Sequence, residues 1–212
     1  METRVTATPD AKPRGTRLPR LARRRQLLSA AQEVFVENGY HAAAMDEIAD
    51  RAGVSKPVLY QHFPGKLDLY LALLEEHATE LVKRVRTALE STTNNKQRVH
   101  ACLAAYFDFV DGDDEGFRLV FESDLRNDPL VRDRVERMTQ ECVAAITETI
   151  AHDTGFAAEE AALLSIGLAG MAEVASRWWL AGAGGLPKDR AVELMAALAW
   201  RGISGTPLQP EA

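Results

Sequence analysis

Leu67, Leu71, Leu74, Ala78, Leu81, Val85 and Leu89 recur at intervals of 4, 3, 4, 3, 4 and 4 residues. That interval keeps apolar side chains on one stripe of an α-helix and would scatter them over both faces of a strand. The same period returns along most of the chain. Leu28, Ala31 and Phe35 share a face that Gly39 closes as the C′ residue; Val131, Val135, Met138, Cys142, Ile146 and Ile150 share another behind Pro129; Val192, Met195, Ala199 and Ile203 share a third. Between these stripes lie breakers: Gly53, Pro64-Gly65, the polar stretch Ser91 to Asn95, the acidic turn Asp111 to Gly116, Thr154-Gly155, and Gly182 to Pro187. They delimit short helices over 45–51 and 117–126, and longer ones over 97–110, 157–181 and 188–203. Period-two alternation is sustained nowhere, so the chain is read as all-α with about nine helices.

With 212 residues the chain can bury a core without disulfide or metal. Cys102 and Cys142 stand forty positions apart, with no CxxC pair or zinc-ligand spacing, which fits a reducing cytoplasm. No apolar run approaches the roughly 18 residues of a membrane span, and the basic N-terminus has no apolar stretch behind it, unlike a secretory signal. No residue pattern calls for a cofactor. Charge divides the chain more sharply than composition does. Residues 1–66 carry eleven Lys/Arg against seven Asp/Glu, whereas residues 67–212 carry fourteen against twenty-four. A basic front on an acidic body points to a polyanion partner for the front alone. The expected organisation is a disordered basic arm over 1–18, a basic head over 19–66, a helical body over 67–205 and a flexible tail over 206–212. The arm's Arg4, Lys12, Arg14 and Arg17 continue into Arg20, Arg23, Arg24 and Arg25.

The informative block runs from Gly39 to Lys66. Two short helices meet at Ala52-Gly53-Val54-Ser55, where glycine can take the positive φ of a sharp turn and Ser55 can cap the helix that Pro57 opens. Ala49 is small where the helices cross, and Ile48, Val54, Leu59 and Phe63 supply a compact core. This is a helix-turn-helix pattern, whose second helix enters the major groove. Lys56 opens that helix, with Tyr60, Gln61 and His62 following; Lys66 opens the next helix, where the N-terminal dipole favours phosphate.

Gly39-Tyr40, Ile48-Ala49, Ala52 to Lys56, Leu59 to Phe63, Gly65-Lys66 and Leu69 resemble the N-terminal domain of the tetracycline-repressor (TetR) family, over roughly residues 20–70. The resemblance implies a homodimeric transcriptional regulator, usually a repressor, that binds a palindromic duplex operator and is released by a small molecule. It also implies DNA contacts for Lys56, Tyr60, Gln61, His62 and Lys66. Two departures stand out: Ala43 and Ala44 replace the hydroxyl residues that usually open the second helix, and Pro57 stands where Gly or Ala is common.

In the body, Tyr106, Phe109, Phe117, Phe121 and Trp178 are the candidates for an effector pocket, with Phe107 and Trp179 as aromatic neighbours and His100, Arg118, Glu122 and Arg177 as polar ones. Such a lining favours a lipophilic or planar molecule. Small residues from Ala161 to Ala175, among them Gly167 and Gly170, together with Val192, Met195 and Ala199, are the candidates for a two-fold four-helix interface. Asp111, Asp113, Glu115, Gly116 and Glu122 fit a calcium-loop register, but an acidic turn feeding a helix N-terminus explains the same letters. No GxSxG, HExxH or phosphate loop is present, and Gly182 to Gly185 follows no strand, so no enzyme is expected. A helical interaction module is the remaining alternative, against which the intact Lys56, Tyr60 and Lys66 argue.

Overall fold

The computed structural model describes residues 19–112, 116–121, 125, 127–182 and 185–202. The arm with Arg4, Lys12, Arg14 and Arg17, the acidic Asp113, Glu115 and Glu122, and the tail with Ile203 lie outside them. Among the described residues there are nine helices and no strand: α1 (Arg20–Ala42), α2 (Met45–Arg51), α3 (Lys56–His62), α4 (Lys66–Glu90), α5 (Asn95–Val110), α6 (Gly116–Phe121), α7 (Pro129–Thr154), α8 (Ala158–Leu180) and α9 (Lys188–Arg201). None of them is long and apolar enough to cross a membrane.

The head is α1 to α3 packed on the first turns of α4. Leu27, Val34, Ile48, Leu59 and Leu69 are fully enclosed there, and Phe63 almost so. Gly39 leaves helical geometry at φ 72°, so α1 kinks before its last turn rather than stopping cleanly. Ser55 takes the N-cap backbone conformation of α3 but its hydroxyl makes no capping bond. The reason lies in the next residues. Pro57 has no N–H to offer, and the Val58 N–H goes to the Ser55 carbonyl instead, at 2.9 Å. α2 has no side-chain cap either; Asp46 and Glu47 in its first turn face the helix dipole in place of a capping hydroxyl.

α4 is the spine of the molecule. Of its seven periodic residues, all but Leu67 are buried. It packs along α5 and α7, α7 packs on α8, and α5 meets α9. Caps set the ends of these body helices. Asn94 accepts the N–H groups of Lys96 and Gln97, so α5 begins two residues earlier than its apolar period suggests. Asp128 accepts the Leu130 N–H ahead of Pro129, and Gly155 at φ 71° closes α7.

Candidate nucleic-acid interface and ligand cavity

The turn between α2 and α3 is fixed by backbone. Gly53 sits at φ 62°, donates to Asp50, and is followed by a Val54 N–H to Ala49 bond. No atom lies within 4 Å of where its Cβ would stand, so conformation rather than space requires glycine. The Gln26 amide reaches the Ala52 carbonyl at 2.7 Å and ties α1 to this turn. α3 is thereby held with Leu59 inward and Lys56, Tyr60 and Gln61 outward. Lys56 and Tyr60 lie one turn apart on that outer face. The Lys56 amine pairs with the exposed Asp46 carboxylate, which pushes its pKa up, and a phosphate can compete for it in water.

His62 is half-buried at the end of α3. Burial, then Arg20, Arg24 and Arg23, push its pKa below the usual imidazole range, so it is neutral at pH 7. Those arginines are functional candidates to which the motif-based reading gave no DNA contact, naming them only as the continuation of the arm's cations. Arg24 and Arg20 continue the stripe of Leu28 at four-residue steps, which carries them past the core and alongside α3. The Arg24 guanidinium lies 4.4 Å over the Phe63 ring, and Arg23 is held by Gln26 at 2.8 Å. Both are therefore positioned cations.

Lys66 is placed differently from its expected phosphate role. Its amine donates to the carbonyls of Tyr40 (2.7 Å), Ala43 (2.9 Å) and His41 (3.2 Å) and lies 4.5 Å from the Tyr40 ring centroid. All three N–H donors are taken up by the carbonyl end of α1, where a cation also meets the negative end of the helix dipole. Lys66 clamps the head to α4.

A cavity of about 370 Å³ runs between α5, α7, α8 and α9. Val99, Leu103, Ile146, Ile150, Leu164, Leu168 and Met171 are among its apolar lining, and Asn95, Arg98, Thr149, Asp153 and Thr154 among its polar lining, where Arg98 bonds to both Asn95 and Asp153. Of the expected aromatic residues only Tyr106 lines it. Phe109 and Phe117 are buried outside the lining, and the Phe121 side chain is outside the described set. Trp178 is 59% exposed on α8. Its neighbour Trp179, one helical step of about 100° away, turns inward instead, against Phe107 and with its indole N–H on the Leu186 carbonyl. Nothing in the sequence separates apolar wall residues from ordinary core: Ile146 shows only as part of the α7 stripe, and Leu164 and Leu168 do not stand out. His100 is exposed and Arg177 pairs with Glu173, both outside the lining; Arg118 and Glu122 have no described side chain.

Cys102 lines the cavity and Cys142 is enclosed beside Tyr106. Burial pushes their thiols up to about 12 and about 11, so both stay protonated and are poor nucleophiles. At the acidic turn, Asp111 and Asp108 pair with Lys188 at 2.9 and 2.8 Å. No cluster of three metal-ligating side chains occurs among the described residues.

The expected interface residues separate. Gly167 and Gly170 face open space on α8. Leu163, Val174 and Trp178 extend them into one exposed stripe, and Leu194, Leu198 and Trp200 are exposed on α9. Val192 is buried within the chain, Met195 packs against the core and Ala199 lines the cavity, so these three do not belong to that outer face. The period they share on α9 is that of its inward side.

The profile of bacterial regulatory proteins of the tetR family matches residues 27–73, the span from α1 into α4. The HTH-type transcriptional activator FasR of Mycolicibacterium smegmatis is 51% identical over 195 residues, 92% of this chain and 89% of that protein. The fatty acid metabolism regulator protein of Bacillus subtilis is 29% identical over 105 residues, half of this chain and 54% of that protein. Among solved structures, a TetR-like regulator from Rhodococcus sp. superimposes with a TM-score of 0.67 at 26% identity, covering 90% of this chain and all of that one. The regulator FadR of Bacillus subtilis, solved in complex with stearoyl-CoA, does so at 0.70 and 20% identity, covering 84% and 98%.

Proposed function

The chain belongs to the tetR family of bacterial transcriptional regulators, and from that premise we propose that it binds a two-fold operator as a homodimer and changes its DNA affinity when a long acyl chain enters the cavity. The observation that carries the effector reading is the cavity itself: a mostly apolar lining drawn from four helices, in which the charged side chains, Arg98 and Asp153, are paired with each other. Such a lining suits a long apolar chain. The stearoyl-CoA bound by the FadR relative is a ligand of this kind. On the DNA side, Lys56, Tyr60 and Gln61 read the major groove, His62 donates to phosphate, and Arg20, Arg23 and Arg24 supply the charge first assigned to Lys66. Two such heads about 34–36 Å apart fit successive major grooves. The exposed α8 stripe with Leu194 and Leu198 joins the two protomers, and the dimer acts on DNA in the cytoplasm.

An effector shifts the equilibrium only as far as it prefers one head separation over another. Where the operator lies relative to a promoter sets the sign of the output. The sequence alone favours repression, while the FasR relative is named an activator. The test is selection of bound duplexes from a random library, followed by titration of the recovered site with oleoyl-CoA. A near-palindrome bound by a dimer, with affinity changed about tenfold or more by the acyl-CoA, is expected. Binding that depends on salt but not on sequence would overturn the operator reading, and a reporter fused to the recovered promoter gives the sign.

A further inference from the structure

The two ends of α3 differ in charge. At its C-terminal end Arg20, Arg23 and Arg24 act together on His62, and Arg24 lies over Phe63. At its N-terminal end the Lys56 amine lies 2.5 Å from the Asp46 carboxylate of α2, and Asp50, one turn further along α2, also acts on that amine. Arg51, the cation of α2, is taken up by Glu33, Glu37 and Glu47. Cations that can anchor phosphate therefore stand at one end of α3. The other end, whose residues approach base edges in a helix-turn-helix, carries a charge-balanced pair. Both partners of that pair are more than half exposed, at 57% and 58%, so in water it adds little to stability. Its consequence lies in what is left of the lysine. An ammonium has three N–H donors, and the one given to Asp46 leaves two for other acceptors. The net charge that would draw the group to any phosphate is offset.

We propose that Asp46 is a specificity-determining residue: by holding Lys56, it makes the lysine a reader of base acceptors in the major groove and not an anchor for phosphate. The inference rests on the reading that α3 enters the groove of a two-fold operator, and adds what keeps its N-terminal end from binding every duplex alike. Guanine presents two acceptors, O6 and N7, to a donor in the groove. The paired ammonium can donate to them and stay beside Asp46, because the base edge has no charge to compete for it. A phosphate does compete, and drawing Lys56 away leaves Asp46 as a bare carboxylate beside the polyanion. Phosphate contact is penalised and base contact is not, so the discrimination comes from a repulsive element as well as an attractive one.

The experiment uses the full chain and the duplex recovered by selection. Affinity is measured for that duplex, for versions with each half-site base pair changed in turn, and for a random duplex, at several salt concentrations. Lys56→Ala identifies the base pair that Lys56 reads, as the position where a discrimination of about tenfold is lost. Asp46→Asn keeps the shape and removes the charge, and should reduce discrimination at that position to about threefold or less. Its affinity for the random duplex should rise about three- to fivefold, with a salt slope steeper by about one. The slope follows the net charge of the pair, so Asp46→Asn steepens it as Lys56→Ala flattens it. Asp46→Glu keeps the charge and should keep the discrimination. In a Lys56→Ala background Asp46→Asn should leave discrimination at that position unchanged, since the reader is gone. An Asn variant that binds every duplex more tightly by one common factor overturns the inference, because Asp46 then acts only as a repelling charge. An Asn variant with wild-type affinities throughout overturns it too. Should the Asn variant fail to fold, Asp46→Ser decides in its place. A Lys56→Ala variant that relaxes no base pair removes Lys56 as a reader and the inference with it. A wild type that binds every duplex alike removes the operator reading itself, an outcome distinct from both.

Discussion

Two lysines that look alike in the sequence separate at the level of single residues. Lys56 and Lys66 each open a helix in the DNA-binding block. Lys56 reaches solvent and pairs with Asp46, while Lys66 holds three carbonyls at the end of α1, twenty-six residues away from Tyr40. Lys66→Met keeps the aliphatic stem and removes the bonds, which should cost roughly 2 kcal/mol of stability. Its operator affinity should fall only as the head loosens, with an unchanged slope of affinity against salt. Lys56→Ala should leave thermal melting unchanged and lower that slope by about one. Melting curves and salt titrations of both variants check the assignment. His62 adds a pH test. Its pKa is lowered in the free protein, so its charging opposes folding and stability declines as pH falls below the ordinary value of about 6.5. A phosphate alongside would raise that pKa, so DNA binding takes up a proton and operator affinity rises from about pH 7.5 to 6. His62→Gln should flatten this rise. The residues of this face were legible from motif spacing. The roles of Lys66 and Arg24 were not, because they depend on which carbonyls and rings α1 brings near them.

At the scale of elements, α4 carries the head and the body on one face. Tyr70 stacks edge-on against Phe35 and Tyr40 of the head and sends its hydroxyl to the Leu119 carbonyl of α6 at 3.2 Å. Seven residues on, His77 lies 3.0 Å from Gln32 of α1 and against Gly116 of α6. A Cβ on Gly116 would fall 2.1 Å from the His77 ring, within a buried junction of three helices. Gly116→Ala must therefore push α6 off α4. The expected cost is about 1–3 kcal/mol from overpacking, only partly offset by the better helix propensity of alanine, roughly 1 kcal/mol at most. Calorimetry or denaturant unfolding measures it, and a variant of unchanged stability would show that α6 yields freely. The period of α4 made the helix readable end to end. Gly116 read only as the close of an acidic turn, since its contact with His77 is made by packing and not by spacing. Likewise the Ser55 cap followed from residue type, and failed because Pro57 removes the donor.

At the scale of the whole molecule, a two-fold operator needs two heads, and the described chain has one outer face suited to join a second copy. Leu163, Gly167, Gly170, Val174 and Trp178 form a stripe spaced 4, 3, 4 and 4 along α8. Small residues at its centre allow another helix backbone to come near. The small residues of α8 fall on two faces, since Ala161, Ala169 and Ala172 share the helix with Gly167 and Gly170 but are buried within the chain. Only three-dimensional packing divides the two faces. Gly170→Arg tests the outer one. No described atom lies within 4 Å of the new Cβ, and replacing a mid-helix glycine favours the helix, so the protomer should melt no lower than the wild type. The guanidinium would instead meet the partner helix, where an unpaired charge is costly to enclose. The variant should therefore sediment as a monomer. Its operator affinity should fall by about 100-fold or more, because each half-site is held alone and the gain from linked binding is lost. Acyl-CoA binding should persist, since Gly170 lies outside the cavity lining. A variant that stays dimeric would place the interface elsewhere. One that turns monomeric yet binds DNA with full affinity would remove the need for two heads.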